Sequence, residues 1–370
     1  MHASEALQDA SRSMQVCNAC RYCEGFCAVF PAMERRRDFS PLDLAYLANL
    51  CHNCRACFYA CQYAPPHPFN VNLPRTLTDV RAETWETYAW PPFLAGLFRR
   101  NGTVVALATA LGIALLLLLT AVLRDPSVLY GVHTAPGAFY LVIPAWAMVS
   151  VASVTFAFSI LALAMGALRF WRGTGSGPFP GPAAWGQALG DIASLRYLGG
   201  GDDGCNDRDE GFSQSRRWLH HALFYGFALC FASTTTAAFY EHVLGRLSPF
   251  PLTSPPVLLG LVGGLGMTVG AAGMLWLKIV ADPEPGAPRL FGTEFAFVLL
   301  ILLTALTGLV LLGFRATSAM GTLLAIHLGC VLALFVVMPY SKFVHGVYRG
   351  ASLLRNAAEA RAAAPTGAER

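Results

Sequence analysis

The sequence predicts an all-α membrane protein: a six-helix transmembrane bundle preceded by a small cysteine-rich domain. Three observations carry that reading. Of the 370 residues 55% are hydrophobic and only 13% are charged, with a mean hydropathy of +0.49, which is more apolar than soluble chains of this size. The apolar excess is confined to residues 102–348, where long uncharged runs recur, while residues 1–98 are polar. Eight of the 11 cysteines fall between Cys17 and Cys61, in two runs of identical spacing. The expected divisions are a domain with its linker over 1–98, a six-span domain over 99–350 and a tail over 351–370. A net charge of +4 carries no nucleic-acid message, because the basic residues sit at the ends of the apolar runs.

The first cysteine run is Cys17-x2-Cys20-x2-Cys23-x3-Cys27 and the second is Cys51-x2-Cys54-x2-Cys57-x3-Cys61. This is the ligand pattern of a ferredoxin-like domain with two 4Fe–4S clusters. A cubane needs one thiolate per iron, so two cubanes use every cysteine of the two runs. Three closely spaced cysteines hold one cluster, and the fourth of each run reaches the other. The expected sets are therefore Cys17, Cys20, Cys23 and Cys61 for one cluster, and Cys51, Cys54, Cys57 and Cys27 for the second. A zinc site built on two C-x2-C pairs would leave Cys23, Cys27, Cys57 and Cys61 unexplained. A disulfide framework suits secreted chains, and no cleavable signal peptide precedes these cysteines. A c-type haem needs a C-x-x-C-H run, which the sequence lacks. The proline that usually follows the fourth cysteine is replaced by Ala28 and Gln62. Thiolate clusters fit a reducing compartment, which places this domain in the cytoplasm.

Residues 1–16 read as a helix or a frayed end. Ser40-Pro41-Leu42-Asp43 has the N-cap, first-turn proline and early acid of a helix start, predicting a helix over 42–50 that delivers Cys51. Arg35, Arg36 and Arg37 read as a solvated loop or a contact with anionic membrane lipid. The sharper alternative is a docking patch for an acidic partner. His52 and His67 are expected to pack or hydrogen-bond beside the clusters. Residues 63–92 hold six prolines and read as a linker ending in an interfacial belt of Trp85, Tyr88 and Trp90.

Six runs clear the ~18 residues a helix needs to span a bilayer. They cover 103–123, 139–168, 219–240, 257–280, 295–314 and 321–344, the second long enough to suggest tilt. Arg99, Arg100, Arg169, Arg172, Arg216, Arg217, Lys278, Arg289, Lys342 and Arg349 fall on one side, against Arg124, Arg246 and Arg315 on the other. The positive-inside rule then puts both termini in the cytoplasm of a bacterial inner membrane protein.

Histidines within spans are costly and usually functional. The third span has His220 and His221 at its start and His242 at its end. The sixth has His327 near its start and His345 at its end. His327 and His345 are 18 residues apart, which in one continuous helix is five whole turns and ~27 Å. The two spans run antiparallel. His221 (preferred to His220) would then meet His345 on the cytoplasmic side, and His242 would meet His327 on the outer side. Each pair could supply two axial imidazoles to a haem b, giving one or two haems. The fourth span carries Gly266 and Gly270 at small-xxx-small spacing, predicting close helix packing. Gly199-Gly200-Gly201 opens a stretch read as a flexible loop, with Cys205 as a spare thiol. Cys230 and Cys330 read as small packing residues.

With these features placed, nearly the whole chain resembles the tricarballylate/citrate utilisation protein B family. The carrying segments are Cys17 to Cys61, Tyr197-Leu-Gly-Gly-Gly with Cys205, Arg216-Arg217-Trp-Leu-His220-His221, and the sixth span. That span, from His327 through Pro339 and Lys342 to His345, is similar to the haem b subunit of respiratory nitrate reductases. There the two corresponding histidines are haem ligands. The family resemblance implies a separate, soluble FAD-dependent tricarballylate dehydrogenase as partner, whose reduced flavin this chain would reoxidise. The expected role is the electron-transfer subunit of an oxidoreductase system, passing electrons through two clusters and haem b to membrane quinone. Competing readings are a transporter with a redox-sensing iron–sulfur domain and a heterodisulfide-reductase-like enzyme. The first lacks the internal repeats and mid-membrane polar groups expected of transporters, and the second lacks that family's additional cysteine motifs.

Overall fold

The computed structural model describes residues 4–175, 177–201 and 203–363. The N-terminal head is built from α1 Glu5–Cys20, α2 Val29–Glu34, α3 Pro41–Leu50, α4 Ala56–Tyr59 and α5 Leu73–Tyr88. Ser4 caps α1 by accepting from the Leu7 amide at 3.2 Å, and Ser40 caps α3 by accepting from the Asp43 amide at 3.2 Å. Helix α1 buries Leu7, Ala10 and Met14, so the N-terminal segment is packed rather than frayed.

Residues 63–92 depart from the expected linker. Asn72 caps α5, Pro74 sits in its first turn, and Leu73, Leu77, Val80 and Trp85 recur at helical spacing on a buried face. Trp85 and Tyr88 are only 4% and 7% exposed, so they belong to a core rather than to an interfacial belt.

Six helices long and apolar enough to cross a membrane follow. The first is α6 Asn101–Leu123, followed at the far end by the short α7 Pro126–Leu129 and α8 Ala138–Val142. Helix α9 Ala145–Gly173 returns toward the head, where α10 Pro182–Ala193 packs. The remaining spans are α11 Ser215–His242, α12 Pro255–Val280, α13 Phe291–Phe314 and α14 Met320–Val337, and α15 Val344–Ala363 closes the described chain. The long second run is two elements: Pro144 separates the short α8 from α9, which by itself is 29 residues long. Helices α11 and α12 touch backbone to backbone. A Cβ on Gly270 would lie 2.4 Å from the Leu223 nitrogen, and one on Gly226 would lie 2.5 Å from the Met267 nitrogen.

The sixth run also breaks. Helix α14 ends at Val337, a 3-10 turn covers Met338–Tyr340, Ser341 is extended, and α15 starts afresh at Val344. Pro339 has no amide to give to the Phe335 carbonyl. That carbonyl accepts the Ser159 hydroxyl from α9 instead. The whole-turn relation between His327 and His345 therefore does not hold.

Helix α15 leaves the bundle and packs on the head. Leu353, Leu354, Ala357 and Ala358 join the core built around Tyr46, Leu47 and Leu77. Residues 351–363 are thus part of a buried helix, while 364–370 lie outside the described residues. Arg36 holds this helix in place, 2.8 Å from Glu359 and 2.7 Å from Asp43, and Arg35 donates to Asn356 at 2.6 Å. Arg35 and Arg36 are clamps within the chain, not a free basic patch, and Arg37 alone of the three is exposed.

Burial alone would raise the Glu359 carboxyl, but hydrogen bonds and charge from Arg36 and Arg355 outweigh it and hold its pKa below the usual value. Asp43 is likewise held low: burial is outweighed by the Ser40 hydroxyl and Arg36. Such groups stabilise the fold above the unfolded carboxylate range near ~4, and that contribution is lost as pH falls through the lower folded values. Glu359→Gln is expected to cost about 1–3 kcal/mol. The check is the thermal midpoint of detergent-solubilised protein, which should fall at pH 7, with the gap to the parent closing below about pH 4.

Candidate metal centres

Helix α1 carries Cys17 and Cys20 in its last turn, and Arg21 ends it in the left-handed region at φ 56°, turning the chain so that Cys23 comes back beside them. These three and Cys61 line one cavity, with Cys57 at its edge and Phe30, Val71 and Leu73 completing the wall. Burial, and then the neighbouring Cys61, Cys23 and Cys20, push the Cys17 thiol up to about 12. Burial and then Cys54 and Cys51 raise the Cys27 thiol well above its usual value. For Cys57 the order is burial, Cys54, Cys27 and Cys51, with Cys23 last, which places it between the two groups. The fold thus brings Cys61 to the first run and Cys27 to the second.

Buried, mutually repelling thiols do not ionise readily by themselves; a cationic core among them would reverse that balance. Among the described residues no three Cys, His, Asp or Glu side chains converge as a single ion requires. A donor set of thiols alone suits an iron–sulfur cluster.

The second group is the enclosed one. Residues 196–201 and 203–213 roof it, and those stretches are not a free loop. Gly200 and Gly201 take positive φ values of 50° and 84°, and a Cβ on Gly200 would fall 1.7 Å from the Gly204 oxygen. Cys205 and Ser213 exchange backbone hydrogen bonds of 2.9 and 3.0 Å, and the Asn206 amide donates to the Cys54 carbonyl at 2.9 Å. The Cys205 thiol is buried and donates to the Leu198 carbonyl at 3.1 Å. Burial pushes it up to about 12, so it stays a thiol. His52 is buried with Nδ1 2.8 Å from the Leu50 carbonyl, its ring against Tyr197, and His67 packs on Tyr63 and Phe69.

Four arginines converge on this group. Arg81 donates to the Ala48 carbonyl at 2.8 Å, Arg216 to the Asn53 carbonyl at 2.6 Å and Arg349 to the Cys51 carbonyl at 3.0 Å. Arg55 donates to the Asp207 and Asp282 carbonyls, each at 3.0 Å. In the sequence, Arg216 and Arg349 stand out as markers of orientation, with Arg216 also part of the family resemblance, and neither Arg55 nor Arg81 is singled out. The available signal was position: Arg216 is one helical turn before His220, Arg349 is one turn after His345, and Arg81 interrupts the buried face of α5.

Beyond Arg349 stand the histidines. The rings of His220 and His345 lie 6.2 Å apart, centre to centre, at 79°. His220 Nδ1 is buried without a partner, and His345 Nδ1 donates to the Lys342 carbonyl. Where the sequence favoured His221, the structure turns His221 away, onto Trp218 and Tyr225. Successive helical residues point about 100° apart, so only one of the two can face α15. The outer pair is not brought together. His242 is exposed at the end of α11, whereas His327 packs on Gly308 with Nδ1 3.1 Å from the Thr307 hydroxyl on α13. Helix α11 lies along α12, away from α14. At the head-side end of the bundle, Glu294 accepts from Lys342 at 2.6 Å and from Lys278.

The chain matches the model of a family described as citrate utilization protein B over residues 96–366, and that of its Fer4-like domain over residues 10–87. It is 48% identical over 363 residues to citrate utilization protein B of Escherichia coli, covering 97% of this chain and 94% of that protein. No solved structure matches it. A multi-pass helical bundle with a Fer4-like head, matched along its length by these models and this relative, belongs to the citrate utilization protein B family.

Proposed function

We propose that this chain reoxidises the reduced FAD of a separate tricarballylate (or related tricarboxylate) dehydrogenase and hands the electrons to membrane quinone. Two 4Fe–4S clusters in the head and one haem b at the head-side end of the bundle would carry them. When bound, these groups accept and release single electrons without making or breaking bonds to substrate. Cys17, Cys20, Cys23 and Cys61 would hold one cluster, and Cys27, Cys51, Cys54 and Cys57 the other. His220 and His345 would hold the haem. The head, α15 and most of the basic residues at span ends lie on one side, which the reading assigns to the cytoplasm.

One observation carries the proposal: the enclosed cysteine group and the histidine pair are joined by a single helix. On α15, Arg349 touches the Cys51 carbonyl, and one turn earlier His345 faces His220. The ring spacing suits a shared metal. Two metal–imidazole bonds of about 2 Å, plus the reach from each nitrogen to its ring centre, put the centres roughly 6 Å apart, against the 6.2 Å found. The hydrogen bond from His345 Nδ1 to Lys342 fixes the tautomer that leaves Nε2 free to coordinate. Both rings are partly buried.

Protein purified from membranes should show b-type absorption bands on reduction. His220→Ala and His345→Ala should each abolish them and His221→Ala should keep them; unaltered bands in His220→Ala would remove that ligand.

Anaerobic preparations should contain about eight irons outside haem and about eight labile sulfides per chain. Cys61→Ser should lower both, and zinc in their place would end the cluster reading.

Membranes carrying the chain should reoxidise the reduced dehydrogenase in the presence of quinone. Membranes lacking it should leave the flavin reduced, and equal rates in both would exclude this role.

A further inference from the structure

The two cysteine groups sit in unlike electrostatic surroundings. The first opens to the surface beside Tyr22 and Gln62, and the guanidinium lining its cavity, Arg21, is exposed and donates to the Asn18 carbonyl at 3.1 Å. The second is ringed by Arg55, Arg81, Arg216 and Arg349. Arg55 and Arg81 come from the head, Arg216 from α11 of the bundle and Arg349 from α15. Arg81 is 6% exposed. Its Nη2, together with the Nε atoms of Arg55 and Arg349, is buried with no hydrogen-bond partner.

Nearby carboxylates offset this charge only in part, through the ion pair of Asp207 with Arg216. Asp207 lies 3.5 Å from Arg216, Asp282 takes the Tyr59 hydroxyl, and Glu294 is held between Lys278 and Lys342. Buried cationic donors left unpaired are costly unless an anion faces them. The Cys51 sulfur is within electrostatic reach of both Arg81 and Arg349. A four-thiolate cluster is a net anion and gains one negative charge on reduction, so it suits such a ring.

We propose that these four arginines set the direction of electron flow within the head by holding the Cys27/Cys51/Cys54/Cys57 cluster at a higher reduction potential than the Cys17/Cys20/Cys23/Cys61 cluster. The inference rests on the two-cluster reading above and adds an order to it. Guanidinium charge persists on burial and needs no proton to follow the electron. Each electron passed inward oxidises the surface cluster by one unit and reduces the enclosed one by one unit; the reduced flavin supplies it and an acceptor within the bundle removes it. Arg349 is a positioning residue here: it acts on the electron's energy at the cluster and touches no substrate.

The test is an EPR-monitored redox titration of the anaerobically purified full-length protein. Two potentials are expected. Arg349→Gln and Arg81→Gln should each lower the higher one by at least tenfold in its reduction equilibrium, about 59 mV for one electron, and leave the lower one in place. Arg349→Lys, which keeps the charge, should retain most of it. Cys61→Ser assigns the signals without relying on any arginine variant, since it should perturb the lower-potential signal. If it perturbs the higher one, the order is reversed and the proposal falls. Potentials that stay put, or fall together, in arginine variants with full iron and sulfide also overturn it. A parent protein without iron and sulfide would instead overturn the cluster reading beneath it.

Discussion

One backbone hydrogen bond that cannot form shapes the centre of this molecule. Pro339 leaves the Phe335 carbonyl without its helical donor, and the Ser159 hydroxyl supplies the replacement from a neighbouring span. The sixth span therefore stops, and the chain restarts as α15 on a new axis. That second axis carries His345 to His220, Arg349 to Cys51 and Glu359 to Arg36. A straight helix would have kept these side chains on the bundle's own axis, away from the head.

The seam between head and bundle is correspondingly polar. Guanidiniums from both parts reach backbone carbonyls around the enclosed cysteines, and the Gly-rich roof closes over them through main-chain bonds. Burying so much cationic charge is costly in a seam meant only for adhesion, where apolar side chains would serve better. Its retention points to electrostatics as the seam's purpose, with packing supplied elsewhere by the apolar face of α15.

Much of this was legible in the chain itself. Uncharged runs gave the six spans, because a bilayer tolerates little else, and Ser40-Pro41 gave the start of α3. The doubled cysteine spacing marked out the Fer4-like head, since three short links can wrap only one corner of a site. What was not legible depended on tertiary neighbours. Whether His220 or His221 faces inward is decided by where α15 stands, and α15 stands where it does because of Pro339. Six prolines made 63–92 look like a linker, yet they fall outside α5 or in its first turn, where they do no harm. The arginines were visible as charges, but a charge count cannot distinguish one that marks a membrane boundary from one turned into a core.

Helix α15 is also a mechanical strap. The head is joined to the bundle covalently at its C-terminal edge and is gripped again by a helix from the far end of the chain, through Arg35, Arg36, Tyr46 and Leu47. A domain fastened at two separated points does not swing like a carrier arm between donor and acceptor. Its internal spacings are set once, at folding, so on the role proposed above electrons would tunnel over fixed gaps rather than ride a diffusing domain.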